Sequence, residues 1–580
     1  MSASVAILGG GVAGLSAAHE LAERGFDVTV YEARPDLGGK ARSMPVPGSG
    51  GDGRADLPAE HGFRFFPGFY RHLPDTMRRI PVAGQPDGVA GNLVASTRVL
   101  MAQAQGRNEL IGPARAPRTL DDLTALERFL RGWATDVGIP LPEQIGFTER
   151  LLTLLTSCDE RRFEQWERMS WWEFSGAEQR SEAYGKFLAD GLTRSLVAAR
   201  AREMSARTGG YVLLQLLFDL TRHGGAADRV LNAPTNDAWI TPWVEHLQRL
   251  GVTLRLAAPV AGIECSGGRI TGVMIGDEDA ERITADHYVA ALPVEQLRLL
   301  VSPEMRRAEP RLAGLDRLVT RWMNGIMFYL DRDVPLVHGH AIYIDSEWAL
   351  TSISQAQFWD AVDLERYGDG RVQGILSVDV SEWERPSART GKVAAKSSAE
   401  EIRAEVWEQL KDHVDDQTLR DDNVVAWFLD PAIRFPNPTA ATNLEPLLVN
   451  TAGSWHDRPE ATTRISNLLL ASDFVRTHTD LATMEGANEA ARRAVNAILE
   501  RTGSSAPRCE VWPLQEPAIF GPARAADKLR WKAFRREAKP LLRVAPGGGL
   551  EPTGPLARVL VDWLPRIRRR LPGSACKPAS

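Results

Sequence analysis

The residues best suited to chemistry come first in the chain. In Gly9-Gly-Gly11-Val12-Ala13-Gly14 the glycines stand at the spacing of a phosphate-cradling turn, and Glu32 follows eighteen positions after Gly14. Gly9 allows a sharp turn, Gly11 lets backbone approach a pyrophosphate, and Gly14 lets a following helix pack closely. Glu32 can accept hydrogen bonds from both hydroxyls of a ribose. A second glycine pair, in Leu37-Gly-Gly39-Lys40-Ala41-Arg42, offers another turn beside the phosphates, with Lys40 and Arg42 to neutralise them. Further on, Glu60-His61-Gly62-Phe63-Arg64-Phe65-Phe66 embeds charge in an aromatic stretch that continues to Tyr70. Charge in such a setting needs a partner or a function. Glu60 and Arg64 either pair with each other or fix loop backbone, or they act on something bound.

The elements that must position these residues are legible around them. Val5–Leu8 is an apolar run of strand type, Leu15–Arg24 has helical spacing, and Val28–Tyr31 is a second strand ending on Glu32. Strand, glycine turn, helix, strand and acid make a dinucleotide-binding βαβ unit, with phosphates at the helix N-terminus. Residues 44–58 are rich in Gly and Pro and read as a loop. From about 117 to 225 apolar residues recur every three or four positions, at Leu120–Trp133, Phe147–Leu155 and Tyr184–Ala201. Pro242–Leu250 reads as a helix, followed by short strands at 252–256, 260–264, 270–275 and 287–291. Between 295 and 450, strands Ile326–Leu330, Gly374–Val380 and Val424–Leu429 alternate with helices such as Ala399–Val414, which suggests a mixed sheet. Near the end, Asn467–Asp473 is a buried strand closing on an acid, and a helix opens at Met484. This unit belongs structurally with the first one, so the cofactor domain is assembled from both ends of an α/β chain.

Composition sets the bounds. At 580 residues the chain exceeds one simple domain, and a net charge of −6 argues against general nucleic-acid binding. Cys158, Cys265, Cys509 and Cys576 lie far apart with no CxxC, so neither a zinc site nor a disulfide framework is expected and no metal ligand is assigned. The βαβ unit begins at residue 5, leaving no room for a cleaved leader, and no run of about 18 apolar residues is present. A cytoplasmic protein is the expectation.

The segments Gly9–Leu15, Tyr31–Ser43, Glu60–Tyr70, Ala471–Phe474 and Thr483–Ala487 together resemble the flavin-dependent amine oxidase and carotenoid desaturase superfamily. Within it the likeness is greatest to plant-type phytoene and ζ-carotene desaturases and to hydroxysqualene dehydroxylases. That resemblance implies a discontinuous Rossmann-like FAD-binding domain with a parallel sheet, formed by 1–75, 235–295 and 455–502. A helical cap at 76–234, a mixed-sheet substrate domain at 296–454 and a basic extension at 503–580 complete the organisation. It implies FAD held by Gly9, Gly11, Val12, Ala13, Gly14, Glu32, Ala33, Gly39, Lys40, Ala41 and Arg42 on the nucleotide side. Gly62, Phe63, Arg64, Thr483, Met484 and Ala487 fall on the flavin side, Asp473 holds the pyrophosphate or ribityl side, and Val260 bonds the adenine. Glu60, His61 and Arg64 become the catalytic candidates, with His61 as a base and Arg64 stabilising reduced flavin.

The implied reaction is hydride removal by flavin from a hydrophobic isoprenoid or lipid, the electron acceptor being left open. Amine oxidation with peroxide release and a redox-neutral flavin isomerase are the alternatives. An NAD-only dehydrogenase would leave the Asp473–Met484 unit unexplained. Trp166, Trp171, Trp172, Phe174 and Phe218 are candidates to line an apolar tunnel, where each buried methylene contributes roughly 0.8 kcal/mol. Residues 522–572 hold 13 Lys/Arg against 4 Asp/Glu, interleaved with Leu529, Trp531, Phe534 and Trp563. This pattern suits peripheral contact with a membrane on the cytoplasmic face, or a helix packed on its own domain.

Overall fold

The computed structural model describes residues 3–106, 110–113, 134–191, 200–219, 228–276, 279–414, 417–438, 440–534, 542–544 and 550–552. The expected helix at Leu120–Trp133, residues 192–199 of the expected helix Tyr184–Ala201, Arg535, Arg536, the arginines from Arg558 onward and Trp563 lie outside them.

The first sheet is wholly parallel. Its strands run in the order Leu468–Leu470, His287–Ala290, Ser4–Leu8, Asp27–Tyr31, Thr253–Arg255. Strands buried on both faces read as near-continuous apolar runs, and Val5, Ala6, Ile7 and Leu8 are each no more than 2% exposed. Helices Val12–Ala22 and Met484–Arg501 pack on one another at this sheet. The Asn488 amide donates to Ser16 Oγ at 2.8 Å and to Thr76 Oγ1 at 2.9 Å, joining segments more than 400 residues apart. Arg492, 2% exposed, donates to Asn488 and to Asp75 at 2.6 Å. Glu485 accepts the N–H groups of Arg71, His72 and Leu73 at 2.7–2.9 Å. That carboxylate caps the start of helix His72–Arg78.

A second sheet has seven strands, in the order Val424–Leu429, Asn324–Leu330, Gly374–Val380, Leu350–Ser354, Gly339–Tyr343, Arg98–Ala102, Leu110–Pro113. All neighbours are antiparallel except Gly339–Tyr343 with Arg98–Ala102, so the sheet is mixed, as its pattern suggests. Helix Ala399–Lys411 covers one face through Ile402, Val406, Trp407 and Leu410. The other face carries Met327, Tyr329, Ile353 and Ile375 and meets Phe63 and Leu57. The boundary of the cap at residue 76 needs correction, because Arg98–Ala102 and Leu110–Pro113 belong to this sheet. Short strands whose partner lies about 240 residues away give no long periodic signal of their own.

The cap contains helices Leu141–Thr156, Trp171–Ser175 and Ala206–Asp219. Helix Gly521–Phe534 docks on it rather than standing free. Asp527 accepts from Arg161 and from the Cys158 N–H, Lys528 pairs with Glu160 at 2.6 Å, and Trp531 lies under Arg161 at 4.8 Å. Cys158, Cys265 and Cys509 are free and buried. Among the described residues no helix is long and apolar enough to cross a membrane.

Candidate functional site

A cavity of about 890 Å³ opens between the two sheets. Its walls gather Gly9, Gly11, Val12 and Ala13 from the first turn, and Glu32, Ala33, Gly39, Lys40 and Ala41 from the second. Gly62, Phe63 and Arg64, Val260, then Asp473, Thr483, Met484 and Ala487 complete this set. The loop after strand Leu468–Leu470 thus shares one chamber with the opening glycines.

Local sequence explains why the chamber forms. Gly9 has φ +108°, and a β-carbon there would lie 2.7 Å from the Ala291 carbonyl oxygen. A β-carbon at Gly14 would lie 1.9 Å from the Gly9 oxygen, so this glycine holds the helix against the turn from behind the wall, outside the chamber itself. Two helix N-termini converge on the space: that of Val12–Ala22, capped by Gly11, and that of Met484–Arg501, where Thr483 Oγ1 accepts the Gly486 N–H at 3.1 Å. Both present free N–H groups and the positive end of a dipole. Glu32 is buried and accepts the N–H groups of Gly10 at 2.7 Å and Arg34 at 3.0 Å, which fixes its carboxylate beside the turn.

Several candidates sit elsewhere than expected. Arg42 lies off the wall, donating to the Gly39 carbonyl at 2.6 Å and to Glu445 at 3.0 Å. Lys40 is on the wall but pairs with Glu295 at 2.8 Å and donates to the Pro446 carbonyl. Glu60 is not on the wall: it accepts the Thr235 N–H at 2.9 Å and hydroxyl at 2.7 Å, and burial pushes its carboxyl up to about 7. A group turned away in this manner has no access to a reacting atom. The ion pair considered for Glu60 and Arg64 is absent; Arg64 instead donates to the Lys40 and Phe63 carbonyls. Its Nε has no hydrogen-bond partner, and burial lowers its pKa. His61 lines the cavity with Nδ1 2.7 Å from Asp430 and 3.4 Å from Glu445. Burial holds it down to about 4, so the ring is neutral near pH 7.

The tunnel aromatics are core instead. Trp166, Trp171 and Phe174 are at most 5% exposed and pack on one another; neither they nor Trp172 and Phe218 reach the cavity. The apolar walls come from Val99, Met204, Val212, Leu216, Met323 and Ile342.

Asp379, Asp228 and His340 are among the polar wall residues that escaped the sequence reading. Asp379 stands in an otherwise apolar strand, Gly374–Val380, and burial pushes it up to about 7. Asp228 and His340 face the same chamber. The signal for Asp379 was an acid inside Ile-Leu-Ser-Val-Asp-Val; the other two had none.

Glycine cradle, converging helix ends, ribose acid and an unpartnered guanidinium nitrogen suit a long anionic dinucleotide with a redox ring. The family model for flavin containing amine oxidoreductases matches residues 12–499. The chain belongs to that family. FAD is the cofactor of such a flavoprotein, and the residues present fit it. The chain is 26% identical over 522 residues to the carotenoid phi-ring synthase of Streptomyces griseus, covering 86% of this chain and 88% of that one. Against the 15-cis-phytoene desaturase of Synechococcus elongatus it is 25% identical over 515 residues, covering 86% and 96%. Among solved structures, cyclohexylamine oxidase from Brevibacterium oxydans shares the fold at TM-score 0.57 and 14% identity, covering 87% of this chain and 100% of that one. A putative protoporphyrinogen oxidase from Exiguobacterium superposes at TM-score 0.55 with 18% identity, over 86% and 99%. The protein is a flavin-dependent oxidoreductase of the amine oxidase and carotenoid desaturase type.

Proposed function

We propose that the protein desaturates a hydrophobic isoprenoid or lipid, removing a hydride and a proton from adjacent carbons. Bound FAD supplies the two-electron acceptor for such a reaction. The observation that carries this reading is the apolar continuation of the chamber beyond the flavin-side residues, through Val99, Met204, Val212, Leu216, Met323 and Ile342. These side chains exclude water and hold a chain by contact alone, without polar anchors. The relatives named as a phytoene desaturase and a phi-ring synthase point to the same substrate class. Arg64, on the wall with Nε unpartnered, would favour negative charge on a reduced ring. The two helix ends orient the cofactor.

The test is anaerobic incubation of the FAD-loaded protein with 15-cis-phytoene in micelles. Bleaching of the flavin band with appearance of a longer polyene is expected. No bleaching, together with peroxide release from amines in air, would instead establish amine oxidation.

Substrate entry from a lipid surface is part of the same proposal. Leu299 and Leu444 line the cavity while 77% and 54% exposed, giving its mouth an apolar rim. The basic C-terminal segment supplies the attraction to anionic lipid. Vesicle co-sedimentation should weaken when residues 511–580 are deleted and when both leucines become Asp; unchanged pelleting removes this part.

A further inference from the structure

On the substrate side of the chamber stands a pair of residues that the cofactor does not account for. Asp228 precedes strand Arg229–Leu231, and His340 lies in strand Gly339–Tyr343. His340 Nδ1 is 2.5 Å from Asp228 Oδ2, and Ser96 Oγ donates to the same oxygen at 3.2 Å. Two lone pairs cannot sit that close, so one proton lies between them. Imidazole is the stronger base, which puts the proton on Nδ1. Nε2 is shielded from bulk water and faces no protein acceptor, so an N–H there would go unsatisfied and the neutral ring with a lone pair on Nε2 is favoured. The ring is held between Phe63 and Phe65, each with its centroid 5.1 Å away.

Register fixes which way this pair faces. Ile342 lies opposite Thr351, and Thr351 opposite Asp379, so the three share one face of the seven-stranded sheet. His340, two residues before Ile342, shares that face, and all four line the cavity. Phe63 directly precedes Arg64 on the flavin side, so the imidazole stands where the two halves of the chamber meet. Lys40 and Glu295 are mutually paired and Glu60 is off the wall. His61 also has an unpartnered Nε2 beside a carboxylate on Nδ1, but burial holds it down to about 4, which makes it the weaker base. Asp379 sits against Gly62 and is attracted to Arg64. His340 keeps an open lone pair with a carboxylate behind it to stabilise the imidazolium.

We propose that His340 is the proton acceptor of the reaction and Asp228 its positioning residue, an inference that rests on the desaturase reading. FAD held in the chamber would accept a hydride from one substrate carbon, and a proton leaves the next carbon for His340 Nε2. The electron pair of that second C–H bond becomes the new C=C bond. The imidazolium, paired with Asp228, then returns its proton to water. The charged groups that face the imidazole are Asp228 and Asp379, with Arg229 beside the first and Arg64 beside the second.

Imidazole nitrogen NMR of the FAD-loaded, histidine-labelled protein, with the signal assigned through His340→Gln, tests the geometry without any substrate. A proton on Nδ1 and a bare Nε2 are expected, with the preference lost in Asp228→Asn; a proton on Nε2 in the wild type overturns the proposal. In single turnover with 15-cis-phytoene, His340→Gln should slow bleaching by roughly 10²-fold or more. It should also flatten a wild-type pH profile that rises as the imidazole loses its proton, with FAD uptake unchanged. Wild-type rates in His340→Gln overturn the assignment. Failure of the wild type itself to bleach counts against the substrate reading alone, since the NMR arm still decides the tautomer.

Discussion

At the scale of single residues, burial sets the protonation of the charged motif at 60–64. Glu60 titrates at about 7 inside the fold, against 4.5 ordinarily. Between those values the folded state keeps a proton that the unfolded chain has lost, so stability falls as pH rises through the window. Glu60→Gln should therefore gain on the wild type between about pH 5 and pH 8, by up to about 3 kcal/mol, in urea melts at several pH values. A constant difference would mean that Glu60 ionises normally. His61 works in the opposite sense: held down to about 4, it refuses the proton that the unfolded chain takes near 6.5, so its contribution is lost as pH falls below that value. For Arg64 the consequence is redox. Arg64→Met should move the flavin midpoint potential in the negative direction by tens of millivolts, since about 30 mV corresponds to 1.4 kcal/mol for two electrons. Dye-coupled titration measures it, and an unchanged potential would leave Arg64 as a fastener of the Lys40 loop.

At the scale of elements, the cap's aromatic helices support the chamber without touching its contents. Trp171 is fully buried, with Phe147 and Phe174 rings 6.0 and 5.9 Å away. Trp171→Ala should cost about 3–5 kcal/mol, seen as a lower unfolding midpoint, while FAD affinity at permissive temperature stays unchanged. Loss of FAD affinity at that temperature would place the tryptophan at the site. The helix Gly521–Phe534 is held by charge rather than by a large apolar face. Asp527→Ala removes the carboxylate from Arg161, which is 1% exposed; breaking a buried pair costs about 3–5 kcal/mol. Limited proteolysis should then cut near 511–520 faster than in the wild type. Equal rates would show that the helix is secured elsewhere.

At the scale of the molecule, the chamber exists because distant segments close on it. The strand Leu468–Leu470 pairs with His287–Ala290, which pairs with Ser4–Leu8, so the Asp473 loop and the Gly9 turn emerge at the same edge of one parallel sheet. Asn488 and Arg492 then lock the late helix onto Ser16, Thr76 and Asp75. The second sheet supplies the opposite wall. The chamber therefore lies between two sheets rather than in a loop.

What the amino-acid sequence determined by itself is the nucleotide half. Turn, helix and acid are local, and their spacing follows from backbone geometry, so Gly9 to Glu32 and Met484 onward were legible in order. The tertiary structure alone decided which charged side chains face the cofactor and which face inward. Glu60 and Arg42 stand in the same motifs as Gly62 and Lys40, yet pair with Thr235 and Glu445, partners about 175 and 400 residues away. The substrate wall was hidden for the same reason. Val99, His340 and Asp379 come from separate strands that only sheet register, which no single segment encodes, sets on one face, and Asp228 reaches His340 from the residue before strand Arg229–Leu231.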